Sequence, residues 1–214
     1  MGSVITEQMD APHQTIMMLT GQLLENCRED QQETLQAIQY GTRMVQLHVQ
    51  DMTDLQKLKY DNFEVHNTTL KIDEAISNVV NINTVQAKQK NTTFQVEISP
   101  NTPPFVGTDS ERVIQILQNV SVKAISLSKS HKVIMISCNA EPHGQQGRLH
   151  FAITVQGDPI SLREQTKLFE IANSKGSQIG LFVAKQLCQM LGGNITLESN
   201  DSTTTFKFFV KFTY

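Results

Sequence analysis

The 214-residue chain contains 39% apolar and 18% charged residues, proportions that are ordinary for a soluble globular protein. Its net charge of −3 disfavours a nucleic-acid binder that relies on a broad basic surface, so we expect no nucleic-acid partner. No apolar run approaches the roughly 20 residues of a membrane span, and the N-terminus lacks a signal-peptide pattern. Cys27, Cys138 and Cys188 lie far apart, which indicates reduced thiols. We therefore expect a cytoplasmic protein with no membrane insertion in this chain.

The first part of the chain is predicted to be entirely helical. Residues 3–59 contain no strand-like alternation and a single proline. One helix is predicted from Val4 to Asn26, with a kink or a restart at Pro12. The polar stretch 27–32 is the predicted turn, and a second helix is predicted from Glu33 to Leu58. Two helices joined by a short turn form an antiparallel hairpin.

The second predicted helix carries a heptad pattern. Ile38, Val45 and Met52 recur every seven residues, which indicates a coiled-coil seam, although Gly41 and His48 weaken it at the partner positions. A lone hairpin leaves such a seam exposed, so we expect a homodimer in which two hairpins form a four-helix bundle. The alternative is a hairpin that packs on its own C-terminal domain.

After a polar linker at 60–69, residues 70–214 show an α+β pattern. The predicted elements are a helix over Ile72–Gln89, a strand over Phe94–Ser99, a helix after Asp109, strands over Val133–Cys138 and Leu149–Val155, helices over Leu162–Ile171 and Ile179–Leu191, and a hairpin around Asn200–Asp201. The helical and α+β parts are separate in sequence, which predicts an α+β fold with a mixed sheet covered on one face.

The helix that follows Asp109 is the most informative segment. Its apolar residues recur at three- and four-residue spacings, which predicts one buried face. Asp109 precedes this pattern and is a candidate N-cap. Gln115 and Asn119 share a face because they lie four residues apart. On the helix pattern alone, these two amides either bind a ligand or are simply solvated.

Three segments, taken in order, resemble sensor histidine kinases. They are RVIQILQNVSVKA at 112–124, KLFE at 167–170 and GSQIGLFVAKQLCQMLGGNITLES at 176–199. The resemblance implies that residues 1–59 are similar to the dimerisation and phosphoacceptor domain of that family. It also implies that residues 70–214 are similar to its ATP-binding domain, an α/β sandwich shared with gyrase-type ATPases.

The resemblance places an unusual residue at the phosphoacceptor position. When Pro12 is aligned with the proline of the family's acceptor motif, Glu7 stands where the family has its histidine. His13 lies six residues further on, about 9 Å along a helix, and is only a secondary candidate for phosphorylation. In the family, receiver domains of response regulators dock on this part of the bundle. The implied docking residues are Glu7, Asp10, Pro12 and His13.

The resemblance also tests the nucleotide site. Asn119 matches the first residue of the family's Asn-x-x-x-Asn pattern, but Lys123 replaces the second, which binds magnesium in the family. A lysine ammonium has only donors, so it cannot ligate a metal, although it could contact an anion. Val155 falls at the position of the adenine-reading aspartate, Gly157 keeps a glycine, and Pro159 replaces another. A site without that aspartate loses strong discrimination for adenine.

The second glycine-rich segment is altered too. Gly176 and Gly180 remain, Gln178 replaces a middle glycine, and only residues 171–175 separate Glu170 from Gly176, where kinases have a longer lid. The retained glycines could serve close helix packing alone.

These losses together favour a pseudokinase with no bound cofactor or metal. We expect a catalytically inactive, dimeric signalling module that acts as a scaffold or docking platform for a partner such as a receiver domain. The alternative is a histidine phosphotransferase that takes phosphate from a receiver without binding ATP. A third hypothesis is a remodelled pocket that takes another small ligand, with Lys123 contacting an anion.

Overall fold

A computed structural model of the chain describes residues 2–60, 62–170 and 179–214. The chain divides into two compact units, Met1–Phe63 and Glu64–Tyr214, so the boundary falls within the predicted linker. Within the described ranges, no helix combines the length and apolar character needed to cross a bilayer.

The first unit is a helical hairpin of α1, Gly2–Asn26, and α2, Glu29–Lys59. Helix α1 continues through Pro12 without the restart that the sequence allowed. The turn contains only Cys27 and Arg28, so the predicted turn at 27–32 was too long. Helix α2 begins early because the Gln31 side chain accepts a hydrogen bond from the Arg28 backbone N–H at 3.3 Å. The acidic residues of its first turn also complement the helix dipole.

In the described residues, the second unit combines four helices with a seven-stranded sheet. Its elements are β1 Thr68–Lys71, α3 Ile72–Gln89, β2 Thr93–Ile98, β3 Phe105–Thr108, α4 Ser110–Leu127, β4 Val133–His143, β5 Gln146–Gln156, α5 Leu162–Lys167, α6 Ile179–Met190, β6 Asn194–Ser199 and β7 Thr203–Thr213. The strand order is β1-β3-β7-β5-β4-β2, and β6 also pairs with β7. Strands β2 and β4 run parallel and the other pairs are antiparallel, which confirms the predicted mixed sheet.

Several element bounds differ from the predictions. Strands β1 and β3 were not predicted, and β1 begins at Thr68, inside the stretch assigned to the linker. Strands β4 and β5 continue to a two-residue turn at Gly144–Gln145, where Gly144 has φ 66°. The predicted helix at 162–171 is shorter, since α5 ends at Lys167, and its predicted end at Ile171 lies outside the described residues.

The core lies between one face of the sheet and the helices. Alternate residues of β4, β5 and β7 are buried on this face. Helix α4 contributes the predicted apolar stripe, whose main members are at most 1% exposed: Val113, Ile116, Leu117, Val120 and Ala124. Asn83 of α3 and Gln118 of α4 exchange two side-chain hydrogen bonds, at 3.0 and 3.3 Å, within this core. This buried pair fixes α3 against α4 because each amide satisfies the other.

Candidate functional site

The candidate site is built on α4, whose N-terminus is fixed by Asp109. One carboxylate oxygen of Asp109 accepts a hydrogen bond from the Arg112 N–H at 3.2 Å, as expected of an N-cap. The other oxygen accepts from the His66 N–H at 2.9 Å. Asp109 therefore anchors both α4 and the segment that leads into β1.

The two amides on the shared face of α4 are both buried. Gln115 is 7% exposed and Asn119 is 6% exposed. The Gln115 side-chain oxygen accepts a hydrogen bond from Arg112 Nη1 at 2.8 Å. Gln115 therefore has a structural partner within its own helix, which favours a packing role over ligand binding at that position.

Lys123 lies one turn beyond Asn119 and is half-buried. Its burial lowers the pKa of the ammonium below the ordinary value of 10.5. No hydrogen bond or ion pair of Lys123 Nζ is found within residues 2–60, 62–170 and 179–214. A donor-only ammonium does not fit the family's magnesium ion, and the described residues contain no cluster of three His, Cys, Asp or Glu side chains suited to a metal.

Val155 and Gly157 stand at the end of β5, at the positions that the sequence resemblance predicts for adenine recognition. Val155 is wholly buried and shares the packed face of β5 with Ile153. A Cβ atom at Gly157 would lie 2.5 Å from the Leu127 carbonyl oxygen, so only glycine fits there without movement. The N–H of Gly157 donates to the Ser202 carbonyl at 3.1 Å. The apolar side chain and the glycine both have packing explanations that involve no ligand.

The loop after β5 is held by contacts with distant parts of the chain. Lys129 Nζ lies 2.7 Å from an Asp158 carboxylate oxygen. The Ile160 N–H donates to Ser199 Oγ at 3.0 Å, and Gln165 Nε2 donates to the Ile160 carbonyl at 2.7 Å. No local sequence pattern predicts the first two contacts, because they join residues from separate elements. The Lys129–Asp158 ion pair is exposed and contributes little, so the two hydrogen bonds of Ile160 are the main contacts that position this loop.

The remaining glycines of the candidate site are only partly described. Gly180 is the second residue of α6 as described and is partly exposed. Gly176 and Gln178 lie outside the described residues. The predicted second glycine-rich segment is therefore seen only at its C-terminal end.

The hairpin unit carries a groove between α1 and α2. The groove has a volume of about 350 Å³, and Pro12, His13 and Ile16 line one wall while Ile38 and Val45 belong to the other. His13 is half-buried and Pro12 is exposed. The backbone of Glu7 and Asp10 lies in α1, but their side chains are outside the described structure. Of the proposed docking residues, Pro12 and His13 are therefore brought together at this groove.

The heptad residues of α2 are exposed. The exposed fractions are 45% for Ile38, 51% for Val45 and 57% for Met52. On α1, the apolar side chains at Ile16 and Leu19 are also 41% and 50% exposed. The hairpin therefore presents a long apolar stripe, of the kind that marks an interaction surface.

Comparison with known proteins identifies the family. The family described as "Histidine kinase-, DNA gyrase B-, and HSP90-like ATPase" matches residues 108–214. The "Aerobic respiration control sensor protein ArcB homolog" of Haemophilus influenzae is 27% identical over 199 residues, which are 89% of this chain and 60% of that protein. ArcB of Escherichia coli is 25% identical over 208 residues, which are 92% of this chain and 26% of that protein. The chain thus spans less than two thirds of these curated relatives.

Solved structures share the fold. The structure of full-length ShkA in complex with AMPPNP has a TM-score of 0.70 at 18% identity, and the match covers 99% of this chain and 45% of that one. The histidine kinase AdeS of Acinetobacter baumannii has a TM-score of 0.63 at 17% identity, and the match covers 92% and 94% of the two chains. The family match over half of the chain and the shared fold lead to one conclusion: this chain belongs to the histidine kinase family.

Proposed function

We propose that the chain is a catalytically inactive histidine-kinase-like module that serves as a dimeric scaffold or docking platform in two-component-type signalling. The observation that carries this proposal is Lys123, a half-buried ammonium at the position where the family has a magnesium-binding asparagine. A cation at this position repels a second cation in surroundings where burial already disfavours charge. Its relatives include a sensor protein of Haemophilus influenzae and a hybrid signal transduction histidine kinase of Dictyostelium discoideum, which supports the signalling context.

A second line of support comes from the adenine side of the pocket. Val155 offers no acceptor for an amino group, and its side chain is already wholly packed. The Ile160 N–H donates to Ser199 Oγ, so the adjoining loop has a tertiary contact made by the chain itself. The missing magnesium ligand and the missing adenine-binding aspartate are independent defects. Restoring one of these residues therefore leaves the other defect in place.

The scaffold part of the proposal rests on the apolar stripe of the hairpin. A second copy of the hairpin offers the same heptad of Ile38, Val45 and Met52, and two such stripes bury each other in a four-helix bundle. Beside the stripe, Pro12 and His13 remain on the α1 wall of the groove as docking residues for a receiver domain.

The test combines calorimetry with a measurement of mass. Titration of the chain with ATP and magnesium is expected to give no heat of binding, while light scattering gives the mass of a dimer. Val45→Lys places a charge in the apolar stripe and is expected to yield a monomer, whereas Gln56→Lys, at an exposed polar position of the same helix, is expected to leave the dimer intact. Micromolar binding of magnesium-ATP would overturn the inactive assignment.

The alternative function is a phosphotransferase that uses His13. It is favoured by the position of His13 in the groove wall beside Pro12, where the family's receiver domains dock. Incubation with a phosphorylated receiver domain should then produce acid-labile phosphate on the chain. His13→Asn should remove this phosphate and His48→Asn should not. A chain that stays unlabelled rejects this function.

A further inference from the structure

Strand β2 is an edge strand of the sheet. It ends the strand order and pairs only with β4. Of the seven strands in the described parts of the chain, β2 alone has no buried residue. Its outer backbone edge therefore has no strand beside it, and its side chains are mostly in contact with solvent.

The apolar residues of β2 lie on the face that packs against the helices. Phe94, Val96 and Ile98 alternate along the strand, and Val96 and Ile98 are 39% and 37% exposed. Their partners across the parallel pairing are all buried: Ile134, Ile136 and Cys138. The apolar face of the sheet thus continues from β4 onto β2, where its side chains are partly exposed.

The other outer strands have features that protect an edge. Strand β1 has four residues, its one apolar residue, Leu70, is 1% exposed, and it ends in Lys71. Strand β6 pairs only with β7, and its Glu198 forms an ion pair with Lys207 at 2.6 Å. Strand β2, with the sequence TFQVEI, has no proline, no lysine and no bulge, and Glu97 is its single charged residue. Natural sheets use short strands, charges, prolines and bulges to prevent edge-to-edge pairing, and of the last three β2 has only the one charge.

We propose that β2 is an interaction surface that pairs antiparallel, about a two-fold axis, with β2 of a second copy of this chain. The favoured register sets Val96 opposite the Val96 of the second copy and Phe94 opposite its Ile98. Gln95 then faces Glu97, so no two like charges are opposed. All three apolar side chains of each strand gain an apolar partner, and the core layer becomes continuous across both sheets.

Other registers are less favourable. A shift of one residue would set the apolar face of one strand against the polar face of the other. A shift of two residues in one direction sets Gln95 opposite itself and leaves Ile98 without an apolar partner. The same shift in the other direction sets Glu97 opposite Glu97, a pair of like charges, and leaves Phe94 without an apolar partner. The chemistry of this short strand therefore selects one pairing, centred on Val96.

The pairing is expected to be weak by itself. Six residues span only about 20 Å of strand, and three apolar side chains fall well short of the roughly 800 Å² per partner that a stable interface buries. Association through β2 should therefore depend on concentration. If the hairpin dimer proposed above forms, the second two-fold axis links one dimer to the next and gives open chains of dimers.

Cysteine cross-linking tests the pairing and its register. Directly opposed Cβ atoms in an antiparallel pair lie about 4.5–5.5 Å apart, close enough for a disulfide after a small adjustment. In a Cys27→Ser background, Val96→Cys is expected to form a disulfide-linked dimer under mild oxidation, and Gln95→Cys is not. Cross-linking through Gln95→Cys alone would reject the register, and the absence of both products would reject the pairing.

Mass measurements separate this pairing from the hairpin dimer. In light scattering over a concentration series, Val96→Lys is expected to remove the rise in mass above that of the dimer. Val133→Lys is the matched control, because Val133 is 42% exposed on the opposite face of the neighbouring strand. A chain that is monomeric when dilute but still cross-links through Val96→Cys rejects the hairpin dimer alone. A stable dimer with no β2 cross-link and no change on Val96→Lys rejects the β2 pairing alone.

Discussion

The substitution Gly157→Ala tests whether this glycine is required for packing or for nucleotide binding. Its Cβ in Gly157→Ala would lie 2.5 Å from the Leu127 carbonyl oxygen, a backbone atom at the end of α4 that cannot rotate away. Overpacking of this kind costs about 1–3 kcal/mol. Since a backbone segment has to move, we expect about 2–3 kcal/mol of lost folding free energy, at the upper end of that range.

Urea unfolding followed by circular dichroism measures this loss. For a domain of this size each kcal/mol lowers Tm by about 2–4 °C, so thermal melts should show a shift of about 4–12 °C. Gly21→Ala is the control substitution, since its Cβ would meet its nearest neighbour, Gln39 Nε2, only at 4.0 Å. If Gly157→Ala leaves stability unchanged, the packing explanation fails and a ligand-related reason for the glycine has to be considered again.

Three further substitutions test contacts around α4. Lys90→Met removes donations from Nζ to the carbonyls of Ile125, Ser126 and Ser128 at 3.0, 2.8 and 3.4 Å, and should cost about 1–2 kcal/mol in urea unfolding, while the neighbouring Lys88→Met should cost little. Asn83→Ala leaves the buried Gln118 amide unsatisfied and should cost about 1–3 kcal/mol, part of which the double substitution of both residues with leucine should recover. Lys123→Met should stabilise the chain at pH 7, because burial lowers the pKa of Lys123 and the folded state therefore disfavours the charged form. The gain in stability should diminish as the pH approaches 10.5, the ordinary pKa of lysine. Equal stability of the variant and the parent at pH 7 would show that burial does not disfavour the charged ammonium.

Local sequence chemistry predicted the elements whose stability is local. Helix α3 occupies the predicted range 72–89, because its apolar period and its polar C-terminal residues define it without reference to the rest of the chain. The Asp109 cap was predicted for the same reason. Strands β1 and β3 were missed because each has only four residues and depends on pairing with the other across the fold. Strands β4 and β5 were predicted too short, because the polar ends that join them at Gly144 lack the apolar alternation of a core strand.

In the candidate site, too, local features were predictable from the sequence and long-range contacts were not. Helical spacing alone places Asn119 and Lys123 on one face of α4, and the structure keeps them one turn apart. The approach of Gly157 to Leu127 joins the end of a strand to the end of a helix, and no local pattern encodes it. Sequence patterns therefore identified which residues are unusual for the family, and the structure supplied packing reasons for unusual Val155 and retained Gly157.

A repair experiment gives the strongest test of whether the nucleotide site is only dormant. Lys123→Asn with Val155→Asp returns the family's residues at both positions. Val155 is wholly buried, so a carboxylate at this position would lie in the apolar core, on the same face of β5 as Ile153. Burying a carboxylate without a partner costs several kcal/mol or forces it to stay protonated. We expect the double variant to be less stable in urea and to remain unable to bind magnesium-ATP in calorimetry. Recovery of nucleotide binding with unchanged stability would mean that Val155 borders an open pocket, and that two substitutions alone restore the nucleotide site.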